Sequence, residues 1–320
     1  IEITTLDPFG YSVTDTTQKP KIFAQKVGNA LHLKTKNIAI KNLLLIKKNK
    51  PLDSLLVKES ERLIRSQRYT RSVTSEMKVV SGDSVDVYIR VLDSWSLVPD
   101  VSSSTTKSKF YLKEKNIFGL GHEFSNSYTK SLTNKDKGYS INYFIPTIRN
   151  TFISTRLNYE IDLDRKYDKS IIIERPFFSS FARWAAGVAL GQNLNKIVTL
   201  DVNQNEVIQN SKFNYQDYWA GHAFQIFKGN SEYNRTTNFV TSARYYNRNY
   251  TEKPIFNSDS LDVYSSEQLY LISLGITSRK FTQDKNIFNF NVVEDIASGF
   301  VYNLTTGYRK RYDDYKFYAG

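Results

Sequence analysis

From Thr151 to Leu163 the chain alternates without a break. Ile153, Thr155, Leu157, Tyr159, Ile161 and Leu163 interleave with Ser154, Arg156, Asn158, Glu160 and Asp162. A period of two sends successive side chains to opposite faces of an extended strand, so one face is lipid-like and the other carries charges of both signs. Soluble strands usually run about 3–10 residues. A tilted membrane strand needs roughly 9–11, so this window favours a membrane strand. The same alternation recurs at Tyr139, Ile141, Tyr143; at Trp184, Ala186, Val188, Leu190; at Tyr270, Ile272, Leu274, Ile276; and at Phe300, Tyr302, Leu304, Thr306, Tyr308. Polar connectors are expected at Thr133–Gly138, Asp164–Lys169, Asn193–Asn210, Gly229–Asn234 and Asn247–Asp262. Their unequal lengths suit short turns on one side of a sheet and longer loops on the other.

No helix can take over the spanning role. The longest aliphatic run, Leu43 to Ile46, is about four residues, against the roughly 18 or more that a membrane helix requires. Aromatics make up 14% of the chain, with 22 Tyr and 20 Phe, yet mean hydropathy is only -0.46. Strands with one greasy and one wet face produce that combination. Cysteine is absent, which excludes disulfides, thiolate catalysis and cysteine-bound metal centres. The formal charge of +12 is spread along the chain without a nucleic-acid motif, so nucleic acid is not an expected partner.

Before residue 105 the period is different. Phe23, Val27 and Leu31 are four apart, so Lys21 to Leu33 reads as a short amphipathic helix, and Ile38 to Ile46 suggests a second. A third follows Pro51, with Asp53 as N-cap and Leu55, Leu56, Leu63 and Ile64 on one face. Val73 to Val80 and Val85 to Val91 then form a hairpin across Ser81-Gly82-Asp83-Ser84. After residue 105 some ten or eleven strands are expected, the last at Tyr315 to Tyr318. A closed barrel with an even strand number needs more, so further strands are expected beyond Gly320. The chain opens inside a strand, Ile1 to Thr5, so a leader is expected to have been removed.

Specific segments carry a family likeness. Glu59-Ser60-Glu61-Arg62-Leu63-Ile64-Arg65-Ser66-Gln67-Arg68-Tyr69 and Asp83-Ser84-Val85-Asp86-Val87-Tyr88-Ile89-Arg90-Val91 resemble the second helix and last hairpin of a POTRA domain. Asp93-Ser94-Trp95-Ser96-Leu97-Val98-Pro99 is similar to the linker leading into a barrel. Glu114-Lys115-Asn116-Ile117-Phe118-Gly119-Leu120-Gly121-His122 resembles the first barrel hairpin of the bacterial surface-antigen superfamily, the BamA/TamA-like proteins. Glu174-Arg175-Pro176-Phe177-Phe178-Ser179 and Val293-Glu294-Asp295-Ile296-Ala297-Ser298-Gly299 resemble later segments. The likeness implies a small α/β (β-α-α-β-β) periplasmic domain over residues 1–98. Residues 99–320 would then be the N-terminal part of an antiparallel transmembrane β-barrel of 16 strands in a Gram-negative outer membrane. The superfamily's Arg-Gly-Phe/Tyr loop motif does not occur in residues 1–320, and the likeness places it further on.

Chemistry-bearing residues are sparse. His32, His122 and His222 show no ligand spacing, and no metal or cofactor is expected. Gly119-Leu120-Gly121 precedes a strand and reads as a turn, not a phosphate loop. Glu294 and Asp295 would point to opposite faces of a strand, poor geometry for paired acid–base work, and read better as turn residues. An enzyme is therefore not expected. Arg156, Asn158, Glu160 and Asp162 form the expected barrel-interior face, and Tyr143, Trp184 and Trp219 the expected interfacial anchors.

The resemblance implies a protein that assists insertion or translocation of other polypeptides by templating strands. Its partners would be outer-membrane lipid, unfolded outer-membrane polypeptides and periplasmic accessory proteins. An open edge near Val73 to Val80, with Val73, Thr74, Glu76 and Lys78, is the expected client-binding strand. The alternative is a passive outer-membrane channel with an accessory periplasmic domain. A secreted, soluble all-β binding module is a third reading, which detergent-free solubility would favour.

Overall fold

A computed structural model describes residues 1–201, 203–255, 263–287 and 292–320. The chain opens with β1 (Glu2–Leu6), α1 (Phe23–Leu31), α2 (Asn37–Lys41), α3 (Ser54–Arg65), β2 (Thr70–Ser81) and β3 (Ser84–Asp93). These strands form a three-stranded sheet in the order β1-β3-β2. β1 runs parallel to β3, with Ile3 opposite Ile89, and β2 runs antiparallel to it, with Val73 opposite Val91.

The hydrophobic period explains most of this domain. Ile40, Leu43, Leu44, Val57, Ile64, Tyr69, Val73, Val87, Ile89 and Val91 make one buried cluster between the sheet and the helices α2 and α3. Burial pushes the Tyr69 phenol well above its ordinary range, so it stays neutral. Asp53 caps α3 as expected, its Oδ1 accepting from the Leu55 amide at 3.0 Å and from that of Leu56 at 3.4 Å. Its other oxygen pairs with Arg235 at 2.6 Å, so one side chain both starts the helix and ties it to a later loop. Asp53→Ala should cost about 1 kcal/mol of α3 stability, typical for a lost N-cap. Asp53→Asn keeps a capping oxygen and should cost less. Exchange protection of the amides in the first turn of α3 reads both; equal losses would mean that the cap contributes little.

The domain departs from expectation in three places. It has the three helices that the apolar spacing predicts, where the β-α-α-β-β topology implied by the resemblance has two. Helix α2 is a single turn ending at Lys41, because Leu43 and Leu44 reach the core from a turn instead of from the expected Ile38–Ile46 helix. Helix α1 forms where its spacing predicts, but none of its residues is buried.

The remaining strands form one antiparallel, twelve-stranded meander. They are β4 (Leu97–Ser103), β5 (Lys107–Ile117), β6 (His122–Ser131), β7 (Lys137–Ile145), β8 (Ser154–Ile161), β9 (Tyr167–Arg175), β10 (Trp184–Leu200), β11 (Glu206–Gln225), β12 (Thr237–Glu252), β13 (Glu267–Lys285), β14 (Val293–Arg311) and β15 (Asp314–Ala319). A short helix, α4 (Glu232–Thr236), interrupts the connector before β12. Every strand pairs with its sequence neighbour, and among the described residues β4 and β15 do not pair with each other, so the sheet is open.

Several sequence expectations are corrected here. Thr151 to Leu163 is not one strand. Arg149–Thr151 is a 3-10 turn, Phe152 adopts a left-handed conformation, and Asp162 lies past the strand end, where its carboxylate accepts from the Lys166 amide at 2.8 Å. Asn193–Asn210 is mostly strand: β10 and β11 pair through Leu200 opposite Glu206, leaving Asp201 and residues 203–205 between them. There the Asp201 carboxylate accepts amide hydrogen bonds from Asn203 and Asn205, which hold it below its usual range. The proposed linker is partly a strand as well, since β4 starts at Leu97 and the 98/99 boundary falls within it. Glu294 and Asp295 lie in β14, not in a turn. Of the expected Asn247–Asp262 connector, Asn247 to Glu252 belong to β12, and residues 256–262 lie outside the described residues.

Candidate functional site

The register of the large sheet separates two faces. One row of cross-strand partners runs Ile145, Thr155, Ile173, Val188, Tyr218, Tyr245, Tyr270, Tyr308 and Phe317 without a break from β7 to β15. The Tyr218 and Tyr245 rings stack at 6.3 Å, and those of Tyr245 and Tyr270 lie 5.1 Å apart. Towards the N-terminal domain the same face stays apolar, with Ala220, Ala243, Ile272, Leu274, Leu304, Phe239 and Ile276. Beyond the tyrosine row it turns polar, with Gln216, Asn247, Gln268 and Lys310 in register. The apolar band is thus bounded on its far side by tyrosines, the arrangement that a hydrocarbon layer and its interface impose. Between β9 and β15 it is hollowed into a trough of about 1120 Å³ lined by Ile173, Val188, Tyr218, Tyr245 and Ile272.

The opposite face is polar. Arg156 donates to Asn142 at 3.4 Å and lies 4.5 Å over the Phe144 ring; Asn158 donates to Asp168 at 3.0 Å. Further along, Arg244 pairs with Asp217, and Glu267 bridges Arg248 at 2.6 Å and Arg311 at 3.3 Å. Cross-strand partners of opposite charge satisfy one another on this face. Arg156, Asn158 and Glu160 therefore share the expected face, with Glu160 exposed, while Asp162 belongs to a turn. Trp219 is also displaced from its expected role. It lies on the polar face and covers Gly187, where any Cβ would collide with the indole. Trp184 and Tyr143 do lie on the apolar face.

The N-terminal domain is fastened to one end of the sheet. Asn116, fully buried at the end of β5, donates to the Leu33 carbonyl at 3.0 Å and to Thr35 Oγ1 at 2.9 Å; its side-chain Oδ1 accepts from the Gly121 amide at 2.8 Å. Gly119 has φ +70°, and its carbonyl accepts from the Lys36 amide at 2.8 Å; the Lys34 carbonyl occupies the space a Cβ would need. Asn150 donates to the carbonyls of Asn42 and Leu44 at 2.9 and 2.8 Å. Arg68 pairs with Glu123 at 2.9 Å. Helix α3 lies along the polar face: Arg65 reaches Asp295 at 2.9 Å, and Arg62 sits 4.2 Å over the Phe281 ring. The connectors on this side are 118–121, 146–153, 176–183, 226–236 and 286–292; those on the far side are 104–106, 132–136, 162–166, 201–205, 253–266 and 312–313. Most far-side connectors are the shorter ones, but the longest of all, 253–266, also lies there, so the expected division into a short-turn side and a long-loop side is not clean. Outer-membrane barrels usually put their short turns on the periplasmic side.

Unpaired strand edges complete the candidate site. β1 and β2 are the outer strands of the small sheet, and among the described residues β4 and β15 are the outer strands of the large one. Of the residues expected on the β2 edge, Val73 points into the core and can offer only backbone. Thr74 is half-buried, whereas Glu76 and Lys78 are exposed and pair with each other at 3.3 Å. The histidines do not meet. His32 Nε2 bonds the buried Asp93 at 3.0 Å, His122 bonds the Tyr143 hydroxyl at 2.8 Å, and His222 packs edge-on to Trp184. Among the described residues no cluster of three metal-ligating side chains forms. The sequence reading missed Arg65–Asp295, Asp53–Arg235 and the Asn116 hub. Only the neighbouring arginines of α3 hinted that its exposed face needed anionic partners.

No family model and no curated protein matches the chain. Among solved structures it is similar to BamA from Haemophilus ducreyi lacking POTRA domains 1-3, at 10% identity and a TM-score of 0.37, over 100% of this chain and 81% of that one. It is also similar to CdiB from Acinetobacter baumannii, at 11% identity and a TM-score of 0.37, over 87% of this chain and 58% of that one.

Proposed function

We propose that the chain is a BamA/TamA-like, Omp85-type protein of the bacterial outer membrane. Its large sheet would form a barrel wall, its first domain would lie in the periplasm, and it would assist insertion or secretion of other polypeptides. The observation that carries the location is the continuous apolar face bounded by the tyrosine row, opposite a polar face that carries ion pairs. Lipid is the solvent that fits such a face, and acyl chains would fill its trough. The longest strands outrun the band, since about 9–11 residues suffice to span and β11 has 20.

Client handling rests on the free edges. An unpaired strand presents N–H and C=O groups that an extended polypeptide can satisfy, so the outer strand β2 of the small sheet is the place where a client strand would add. Along β2 the amides alternate between β3 and the outside, so Thr74 and Glu76 share one direction and Ser75 and Met77 the other. Proline in the outward-facing set removes a donor without breaking the β3 ladder. Thr74→Pro and Ser75→Pro are therefore expected to differ. One leaves the domain folded but abolishes crosslinking of β2 to nascent outer-membrane polypeptides, the other unfolds the hairpin, and alanine at either site is nearly silent. Equal client capture by the folded proline variant and the alanine variant would remove the strand-addition mechanism. The passive-channel reading would then gain, and deletion of residues 1–98 should leave conductance intact if it is right.

A further inference from the structure

Helix α1 is amphipathic in the wrong direction for a soluble domain. Its Gln25, Gly28 and Asn29 side faces the body: Asn29 donates to the Phe9 carbonyl at 2.9 Å and accepts from its amide at 3.1 Å, and the Phe9 ring lies against Gly28. On the 3.6-residue turn, Phe23, Val27 and Leu31 fall on the opposite side. Phe23 is 82% and Leu31 72% exposed, and the flanking Ile22 and Leu33 are exposed too. The surrounding charge has one sign. Between Thr16 and Leu52 the chain carries nine lysines and no aspartate or glutamate, so the positive charge is not evenly spread after all. Lys19, Lys21, Lys26, Lys34 and Lys36 border the helix and are exposed, with Asp7, 3.9 Å from Lys34, as the acidic neighbour.

The helix is also held close to the large sheet. Phe9 packs on Trp95 with ring centroids 5.8 Å apart, and the Trp95 indole donates to the carbonyl of Leu97, the first residue of β4, at 2.6 Å. Residues Leu33 to Lys36, just after the helix, bond the β5–β6 turn, where Phe118 is exposed. An apolar stripe rimmed by lysines, fixed beside the end of strands with an apolar face, fits the surface of a bilayer that carries negative headgroups. The stripe enters the acyl boundary while the lysines remain among the phosphates.

We propose that α1 is a monotopic anchor that lies in the anionic headgroup layer beside β4, holding the first domain against the membrane. This rests on the membrane reading above. The absence of native cysteine lets single labels be placed in the full chain. An environment-sensitive fluorophore is attached at Ala24→Cys or Ala30→Cys, on the borders of the stripe, at Ile272→Cys on the apolar sheet face, and at Asp83→Cys on the β2–β3 turn. The protein is reconstituted in phosphatidylcholine alone or mixed with phosphatidylglycerol, with lipid-borne quenchers. The expected result is quenching at 272 in both bilayers, none at 83, and several-fold stronger quenching at 24 and 30 in the phosphatidylglycerol mixture. That difference should shrink in high salt and vanish when Leu31→Glu is added. Quenching at 272 without quenching at 24 and 30, or equal quenching there in both lipids, overturns the anchor alone. No quenching at 272 overturns the membrane reading and the anchor together.

Discussion

Lysine in place of Leu157 should cost the inserted sheet about 2–4 kcal/mol if the residue lies near the bilayer midplane, the usual penalty for a cation on a lipid-facing strand. Leu157 is 44% exposed, and its register partners on the apolar face are Tyr143 and Ile171. An ammonium group there has no acid in reach and must snorkel or drag water into hydrocarbon. Its neighbour Asn158 points the other way, towards Asp168, so Asn158→Lys should be mild and could gain an ion pair. The comparison needs only urea unfolding in the same lipid, followed by the heat-dependent mobility shift common to barrel proteins. Equal penalties at the two positions would mean that the face assignment, or the environment, is wrong. The same test in detergent-free buffer addresses the soluble reading, because there lysine at Leu157 should improve solubility.

How much of this could be read beforehand depended on whether one face of a segment stayed apolar. Where it did, as in β7, β8, β13 and β14, the period of two located the strands. The far halves of β10 and β11 were hidden because Asn193, Asn195, Lys196, Gln209 and Asn210 make both faces polar there. Their pairing is carried by the backbone and by contacts such as Gln209 to Thr199, so periodicity had nothing to detect. β4 was hidden by Pro99 and its serines, which suit an edge strand with a free side better than an interior one. Helix α1 was legible as a helix, but its surroundings were not, since the same spacing serves a core face or a membrane face. Long-range partners were the least visible. Arg65 and Asp295 are separated by 230 positions, and only the docking of α3 on the sheet brings them together.

The docking of the first domain should depend on that pair. Arg65 and Asp295 have side chains 6% and 13% exposed, joined by hydrogen bonds of 2.9 and 3.1 Å. Removing one member of such a pair strands the other, and the usual penalty is about 3–5 kcal/mol. Glu61 remains 3.6 Å from Arg65 and offsets part of it, so Asp295→Ala should fall near the lower bound. At about 1.4 kcal/mol per factor of ten, even that bound raises the undocked population by roughly a hundredfold. Arg65→Met should have a similar effect, while the double variant, with no stranded charge, should cost clearly less than the sum of the singles. Hydrogen exchange of the α3 amides in the lipid-embedded protein reads the docked state directly, and the tetrad of variants yields the coupling. Additive effects would show that the two side chains do not hold the domain. A coupling with no change in ion conductance would show that α3, though fastened across the polar face, does not obstruct a conducting path, which removes the passive channel's simplest gate.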